Sequence, residues 1–193
     1  MVLILNRCLF NTNKQMDFMN KLVLVLLLLS ALPVAFPIAY SQDNSAPCSA
    51  PEASWLDFWI GSWDLEWING EGKIETGSNT ISKVLGSCVI EENFATADGS
   101  FKGKSLSLFD IRTRIWKQTW VDNTGSYLDF TGEKRGDSII FSRTIIDKKG
   151  NEHTQRIVFY QISKEKLSWN WESSSDNGTT WNLLWKINYK RRP

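Results

Sequence analysis

Histidine is nearly absent from this chain: His153 is the only one among 193 residues. A Ser-His-Asp triad would have to use it, yet nothing around it resembles a nucleophile elbow. A structural zinc site takes about four Cys/His ligands, and the chain has only three cysteines, Cys8, Cys48 and Cys88, the first far upstream of the others. Charge of either sign is not in excess, with 22 Lys+Arg against 21 Asp+Glu. A nucleic-acid binder needs a basic patch to neutralise phosphates, and the "YKRR" end is basic but short. No metal, other cofactor or nucleic-acid partner is therefore expected. Beyond residue 60 no stretch has room for a substantial amphipathic helix, which points away from helical folds.

The one long apolar run lies near the start. Arg7, Lys14 and Lys21 precede "LVLVLLLLSALPVAFPIAYSQ", a basic region followed by an apolar one. Residues 1–41 are expected to be a signal peptide, with Ala39 and Ser41 at the positions a signal peptidase reads and cleavage after Ser41. An uncleaved anchor is the rival, because the run is nearly long enough to span a bilayer. Pro33, Pro37 and the small-residue exit favour cleavage, which leaves a periplasmic or secreted protein with no stable membrane insertion. Three basic residues and Asp17 leave with the leader, so the formal charge goes from +1 to −1. Cys48 and Cys88 remain. In an oxidising compartment they can form one bridge, closing a loop of about 40 residues worth roughly 4 kcal/mol in the chain-entropy account; two buried thiols are the alternative. Residues 42–53, "QDNSAPCSAPEA", read as a linker, and 54–193 as a single domain.

What the domain has in abundance is tryptophan. Ten are present, four of them at 55, 59, 63 and 67. Their spacing of four suits one helical stripe, but Gly61-Ser62 interrupts it. Ser54 can cap a short helical turn, "WLDFW", stopped by Gly61. A strand then begins at Ser62 and places Trp63, Leu65 and Trp67 on one face. Strand-like runs follow at about 73–84, 88–95, 103–110, 115–122, 126–134, 138–147, 153–162, 166–173 and 180–190, joined by short, mostly Gly-containing connectors such as "NGEG" and "DKKGN". Short connectors imply antiparallel neighbours in chain order. Alternation puts Trp116, Gln118 and Trp120 on one side, Leu167, Trp169 and Trp171 together, and Trp181, Leu183, Trp185, Ile187 and Tyr189 in line. An all-β antiparallel meander of about ten strands, apolar on one face, closes most simply as a barrel.

"WLDFW" followed by "GSW" resembles the entry to calycins, the superfamily of lipocalins and fatty-acid-binding proteins. The Gly-x-Trp is Gly61-Ser62-Trp63. The resemblance implies that Trp63 closes one end of the barrel beneath a basic residue near the C-terminus, Arg191 or Arg192. "FWIGSWDLEW", "LGSCVIEENF", "GKSLSLFD", "WKQTWVDNTGSYLDFTG", "RIVF" and "WNWESSSDNGTTWNLLWKINYKRR" together are similar to the exported bacterial family called domain of unknown function fifteen seventy-nine. The likeness covers about residues 55–192. It implies a calycin-like barrel and no particular activity. Ten-stranded haem barrels of that general kind, the nitrobindins, ligate iron through a histidine on a late strand. The corresponding place here holds Asn188 and Tyr189, and no haem is expected.

Among other motifs, "SSDNGTTW" fits the Asp-box of sialidase propellers but occurs once, so it reads as a hairpin turn. Adjacent Glu91 and Glu92 point to opposite faces of a strand, with Glu92 on the side of Cys88, Ile90 and Phe94. Asp122 shares a side with Trp116, Gln118 and Trp120. A buried acid beside indoles carries a raised pKa; structural pairing with Arg143 or Arg156 is the plainer expectation. The reading is a barrel that binds a small, partly apolar molecule through Trp67, Glu92, Gln118, Trp120, Asp122, Arg156 and Trp171. Gly61, Trp63 and Arg191 are assigned to closure, and no residue is assigned to catalysis. A hydrolase using Glu92 and Asp122, and a solid barrel that binds nothing, are the alternatives; the oligomeric state is left open.

Overall fold

The computed structural model describes residues 48–193, so the leader and the first part of the expected linker lie outside the described residues. Ten antiparallel strands form one closed barrel: β1 Gly61–Ile68, β2 Ile74–Val84, β3 Val89–Thr96, β4 Lys102–Asp110, β5 Ile115–Asp122, β6 Tyr127–Arg135, β7 Ser138–Ile146, β8 Glu152–Tyr160, β9 Lys166–Ser174 and β10 Asn182–Arg191. Each strand pairs with its neighbour in sequence, and β10 returns to pair with β1. Closure leaves no free edge. The inward residues of neighbouring strands meet in register: Trp63 opposite Asn79, Asn79 opposite Phe94, Glu92 opposite Ser105 and Ser107 opposite Gln118.

The end of the barrel at the start of β1 is plugged by the segment before it. Two 3-10 turns, Pro51–Ser54 and Asp57–Trp59, replace the single helical turn expected over "WLDFW". Ser54 does not cap the second turn; its hydroxyl donates back to Pro51 O at 2.7 Å. Leu56 and Trp59 are buried in the core. Residues 48–53, expected to be a linker, belong to the fold instead: the Trp116 indole N–H donates to Glu52 O at 2.9 Å, and Arg114 pairs with the Glu52 carboxylate. The Cys48–Cys88 disulfide fastens this segment to the turn between β2 and β3, with Cα atoms 5.2 Å apart.

One cluster welds plug, first strand and last strand. Arg191 donates from Nη1 to Ile60 O at 2.6 Å, from Nη2 to Phe58 O at 2.8 Å and from Nε to Lys164 O at 2.6 Å. Its guanidinium lies 4.1 Å from the centre of the Trp63 ring, and the Trp63 N–H donates to Trp59 O at 2.7 Å. Gly61 fits twice over. Its φ of 131° lies where L side chains rarely go, and a Cβ there would overlap the Arg191 guanidinium. Arg192 faces the other way and pairs with Asp64 at 2.6 Å.

Alternation fails at one place. A bulge between Leu183 and Trp185 sets two β10 residues against one of β9. Trp185 then faces inward opposite Trp171, while Leu183 stands opposite Glu172 and is exposed, so Trp181 and Leu183 do not continue the inner row. The "SSDNGTTW" segment before it is a tight turn. Asp176 accepts from the Thr180 backbone N–H at 2.9 Å and hydroxyl at 2.6 Å, and Gly178 has φ 82°.

Two measurements check this account of closure. Removing the bridge with Cys88→Ala should cost about 2–4 kcal/mol in urea unfolding, with the barrel still formed. Gly61→Ala, which must displace Arg191 and strain the backbone, should cost at least about 2 kcal/mol and broaden the Trp63 environment in near-ultraviolet circular dichroism.

Candidate functional site

The lumen is not packed solid. A cavity of about 190 Å³ occupies it above the plug. At its floor stand Glu92, Gln118, Tyr189 and the Trp59 ring; Trp120, Asp122, Leu128, Phe101 and Trp185, all part-exposed, stand toward the mouth. Between them, Phe94, Phe130, Trp169 and Trp171 form the walls.

The walls are built from edge-to-face pairs, which fix ring orientations. Trp185 meets Trp67, Phe94 and Trp169 with centroids at 5.4, 5.8 and 5.8 Å. Phe130 meets Trp171 at 5.7 Å on the other side. Room for the rings comes from small residues on the strands beneath them. A Cβ at Gly103 would fall inside the Trp120 indole, and one at Gly77 would come within 3.2 Å of the Trp67 ring. Gly103 lies directly opposite Asp122 and Phe94, so β4 passes under Trp120 with its bare backbone.

The floor is polar and buried. Glu92 is 6% exposed and Gln118 4%. Asn79 Nδ2 donates to Glu92 Oε1 at 2.6 Å, and Ser105 Oγ donates to Glu92 Oε2 at 2.6 Å. Burial drives the Glu92 pKa up to about 7, against the pull of Ser105 and Asn79. Gln118 Nε2 donates to Ser107 Oγ at 3.0 Å, leaving Gln118 Oε1 buried without a partner; Asn79 Oδ1 is another such atom. Tyr189 takes a long hydrogen bond from Asn79, 3.3 Å. Its own pKa is pushed well above the usual phenol range by burial and by the charge of Glu92. The Trp59 N–H acts on the same hydroxyl but makes no well-formed hydrogen bond and is left unpartnered.

Asp122, at the mouth, is different. Burial opposes its ionisation, but donors from Thr124, Trp120 and the Ser126 backbone outweigh it and hold the pKa down at about 2. The two acids therefore behave oppositely: Asp122 stays charged down to strongly acidic pH, whereas Glu92 changes charge near neutrality.

Of the residues expected to form the site, the structure brings Glu92, Gln118, Trp120, Asp122 and Trp171 to one cavity. Trp67 is buried one layer behind it, against Phe94 and Trp185, its N–H donating to Glu75 at 2.9 Å. Arg156 is elsewhere. It lies on the outward side of β8, pairs with Glu172 at 2.6 Å and stacks 3.6 Å over Trp181, because it is Ile157 that fills the inward position. Neither Arg143 nor Arg156 pairs with Glu92. Arg143 lies over the Phe130 ring, 5.8 Å from its centre, with Nε and Nη1 buried and unpartnered, and is not part of the cavity lining. His153 accepts or donates a 3.1 Å hydrogen bond with Asp147 in the β7–β8 turn, away from the cavity. Among the described residues no cluster of three or more His, Cys, Asp or Glu is arranged to hold a metal ion.

The raised pKa of Glu92 has a direct thermodynamic consequence. Its folded-state pKa, about 7, exceeds the usual carboxyl value of 4.5, so between these values the native state binds the proton that the unfolded chain has lost. Stability contributed by the protonated form is therefore present at low pH and lost as pH rises through about 7, by up to about 3 kcal/mol. The lowered Asp98, Asp122 and Asp176 titrate well below this window and leave it flat. Thermal unfolding should show a midpoint several degrees higher at about pH 5 than at about pH 8, and Glu92→Gln should abolish most of that difference while raising the midpoint at the higher pH.

No protein-family model matches this sequence, and no curated protein sequence matches it.

Proposed function

We propose that the protein is an exported, calycin-like barrel that binds a small, partly apolar molecule in its lumen, as its likeness to the family called domain of unknown function fifteen seventy-nine also implies for the fold. The observation that carries this reading is the cavity itself: an aromatic chamber, open at one end, whose floor holds buried polar atoms without partners. An unmade hydrogen bond at a buried acceptor costs about 1–3 kcal/mol, and a ligand with a polar end recovers it. Concave, largely apolar pockets with a few convergent polar groups are where small molecules bind. Export accords with the bridge between Cys48 and Cys88. Among the described residues no helix is long and apolar enough to cross a membrane.

Size limits the guest. An apolar void of about 150 Å³ accommodates one benzene ring, so 190 Å³ suits one ring with a substituent or a small fused pair. For so few atoms, affinity should fall on the order of 10–1000 µM.

Titration with indole, read by tryptophan fluorescence, tests the proposal. One saturable site is expected. Gly103→Ala, which forces the Trp120 ring off its seat and into the lumen, should weaken binding by about tenfold or more while circular dichroism still reports the barrel. Linear, unsaturable quenching that Gly103→Ala leaves unchanged would favour a scaffold that binds nothing. Native mass spectrometry of the protein recovered from its own host then identifies any retained molecule.

A further inference from the structure

The cavity is one-sided in its electrostatics. Its lining includes two carboxyl groups, Glu92 and Asp122, and no lysine, arginine or histidine. Its walls are the faces and edges of indole and phenyl rings, whose faces carry partial negative charge. The polar donors nearby are largely spent: Asn79 Nδ2 on Glu92 and Tyr189, Gln118 Nε2 on Ser107, and Trp120 Nε1 on Asp122 at 3.0 Å. What is left open at the floor is two acceptors, Gln118 Oε1 and Asn79 Oδ1, against a single donor, the Trp59 N–H, and the Gln118 side chain is 4% exposed.

Resting on the ligand-binding reading above, we infer that the occupant is a small organic cation, a protonated amine on an apolar body, with its ammonium group donating to Glu92 and Gln118 Oε1 and its body held among the rings. A ring-walled box with a carboxylate is the environment in which an ammonium ion is attracted through cation–π and charge-assisted contacts after losing its water. Asp122 at the mouth, ionised at every ordinary pH, adds an attractive field along the way in. An anion would find no positive lining group, and Arg143, whose guanidinium lies 5.8 Å from the centre of the Phe130 ring, is not in the wall.

The inference makes binding depend on pH. Glu92 on β3 is faced by Asn79 on β2, Ser105 on β4, Gln118 on β5 and Tyr189 on β10, of which only Tyr189 titrates, and that far above neutrality. A cation favours the ionised carboxylate, so its affinity should climb as pH rises through about 7 and then level off.

Three probes that share one ring settle the matter: benzylammonium, benzyl alcohol and benzoate, titrated by calorimetry into the protein expressed from its full-length sequence. Benzylammonium should bind about tenfold or more tighter than benzyl alcohol at about pH 8. It should weaken several-fold toward about pH 6, where the alcohol changes by less than about twofold. Glu92→Gln should bring the two probes within about twofold of each other; should that variant not fold, the pH series on the unaltered protein decides. Equal binding of amine and alcohol would overturn the cation while leaving the ligand-binding reading intact. Preference for benzoate would overturn it in favour of Arg143. Failure of all three, together with indole, would remove both.

Discussion

A carboxyl group sealed inside an aromatic barrel must be met by donors or give up its charge, and the interior of this protein is arranged around that demand. Glu92 receives one donor from each adjoining strand, Asn79 on β2 and Ser105 on β4. Those partners are small, and Ser107 beside them is smaller than the apolar residues such a position ordinarily carries. The inward face of β4 reads Gly103, Ser105, Ser107, Phe109, and the first three of these seat Trp120, Glu92 and Gln118, the side chains that line the cavity. The hydrogen bonds that make Glu92 tolerable are not enough to make it an ordinary acid, because burial still outweighs them.

The two ends of the barrel divide the labour. At one end, the guanidinium of Arg191 replaces the water that the carbonyls of Phe58, Ile60 and Lys164 would otherwise need, and its stacking on Trp63 keeps that charge from being an isolated cost. This end carries stability. At the other, the rings of Trp120, Trp171 and Trp185 are only part-buried and pack edge-on or tilted against Phe94, Phe101, Phe130 and Trp169. Chemistry that needs access is found there. Because closure rests on the plug, the open end is free to keep a hollow that a uniformly packed barrel of this size would lack.

Strand number, order and boundaries were legible because a meander writes itself as alternation punctuated by turns, and each expected strand lies within a few residues of the observed one. Half of the site was legible for the same reason: "WKQTWVD" places Trp116, Gln118, Trp120 and Asp122 on one face, and Glu92 follows from Ile90 and Phe94. The rest was hidden where alternation misleads. In "GKSLSLF" the apolar residues Leu106 and Leu108 share a face, yet they are 39% and 36% exposed while Ser105 and Ser107 are 1% and 0%. Burial there follows the needs of Glu92 and Gln118 across the strand, which a one-dimensional pattern does not contain. Asn79 was invisible in the polar run "GSNTIS" for that reason. Arg156 reads as inward because "RIVFY" is apolar on both faces, and the bulge at Leu183–Trp185 breaks an inner row that is continuous in the sequence pattern.

Holding such a chamber open is costly unless something occupies it. A sealed apolar void of 190 Å³ would destabilise the fold by on the order of 5 kcal/mol, a large share of what a domain of this size has to lose. The mouth lets water in and so lowers that figure, but water against indole faces finds few hydrogen-bonding partners above the floor. Larger residues on β4 would not simply fill the lumen: a side chain at 103 would collide with the Trp120 ring, and Ser105 and Ser107 are engaged by Glu92 and Gln118. Small side chains on β4 stand opposite large rings that are rigidly paired with one another, so neither side can collapse onto the other. The hollow is thereby preorganised, and a guest that supplies ring contacts and a donor meets walls already in place.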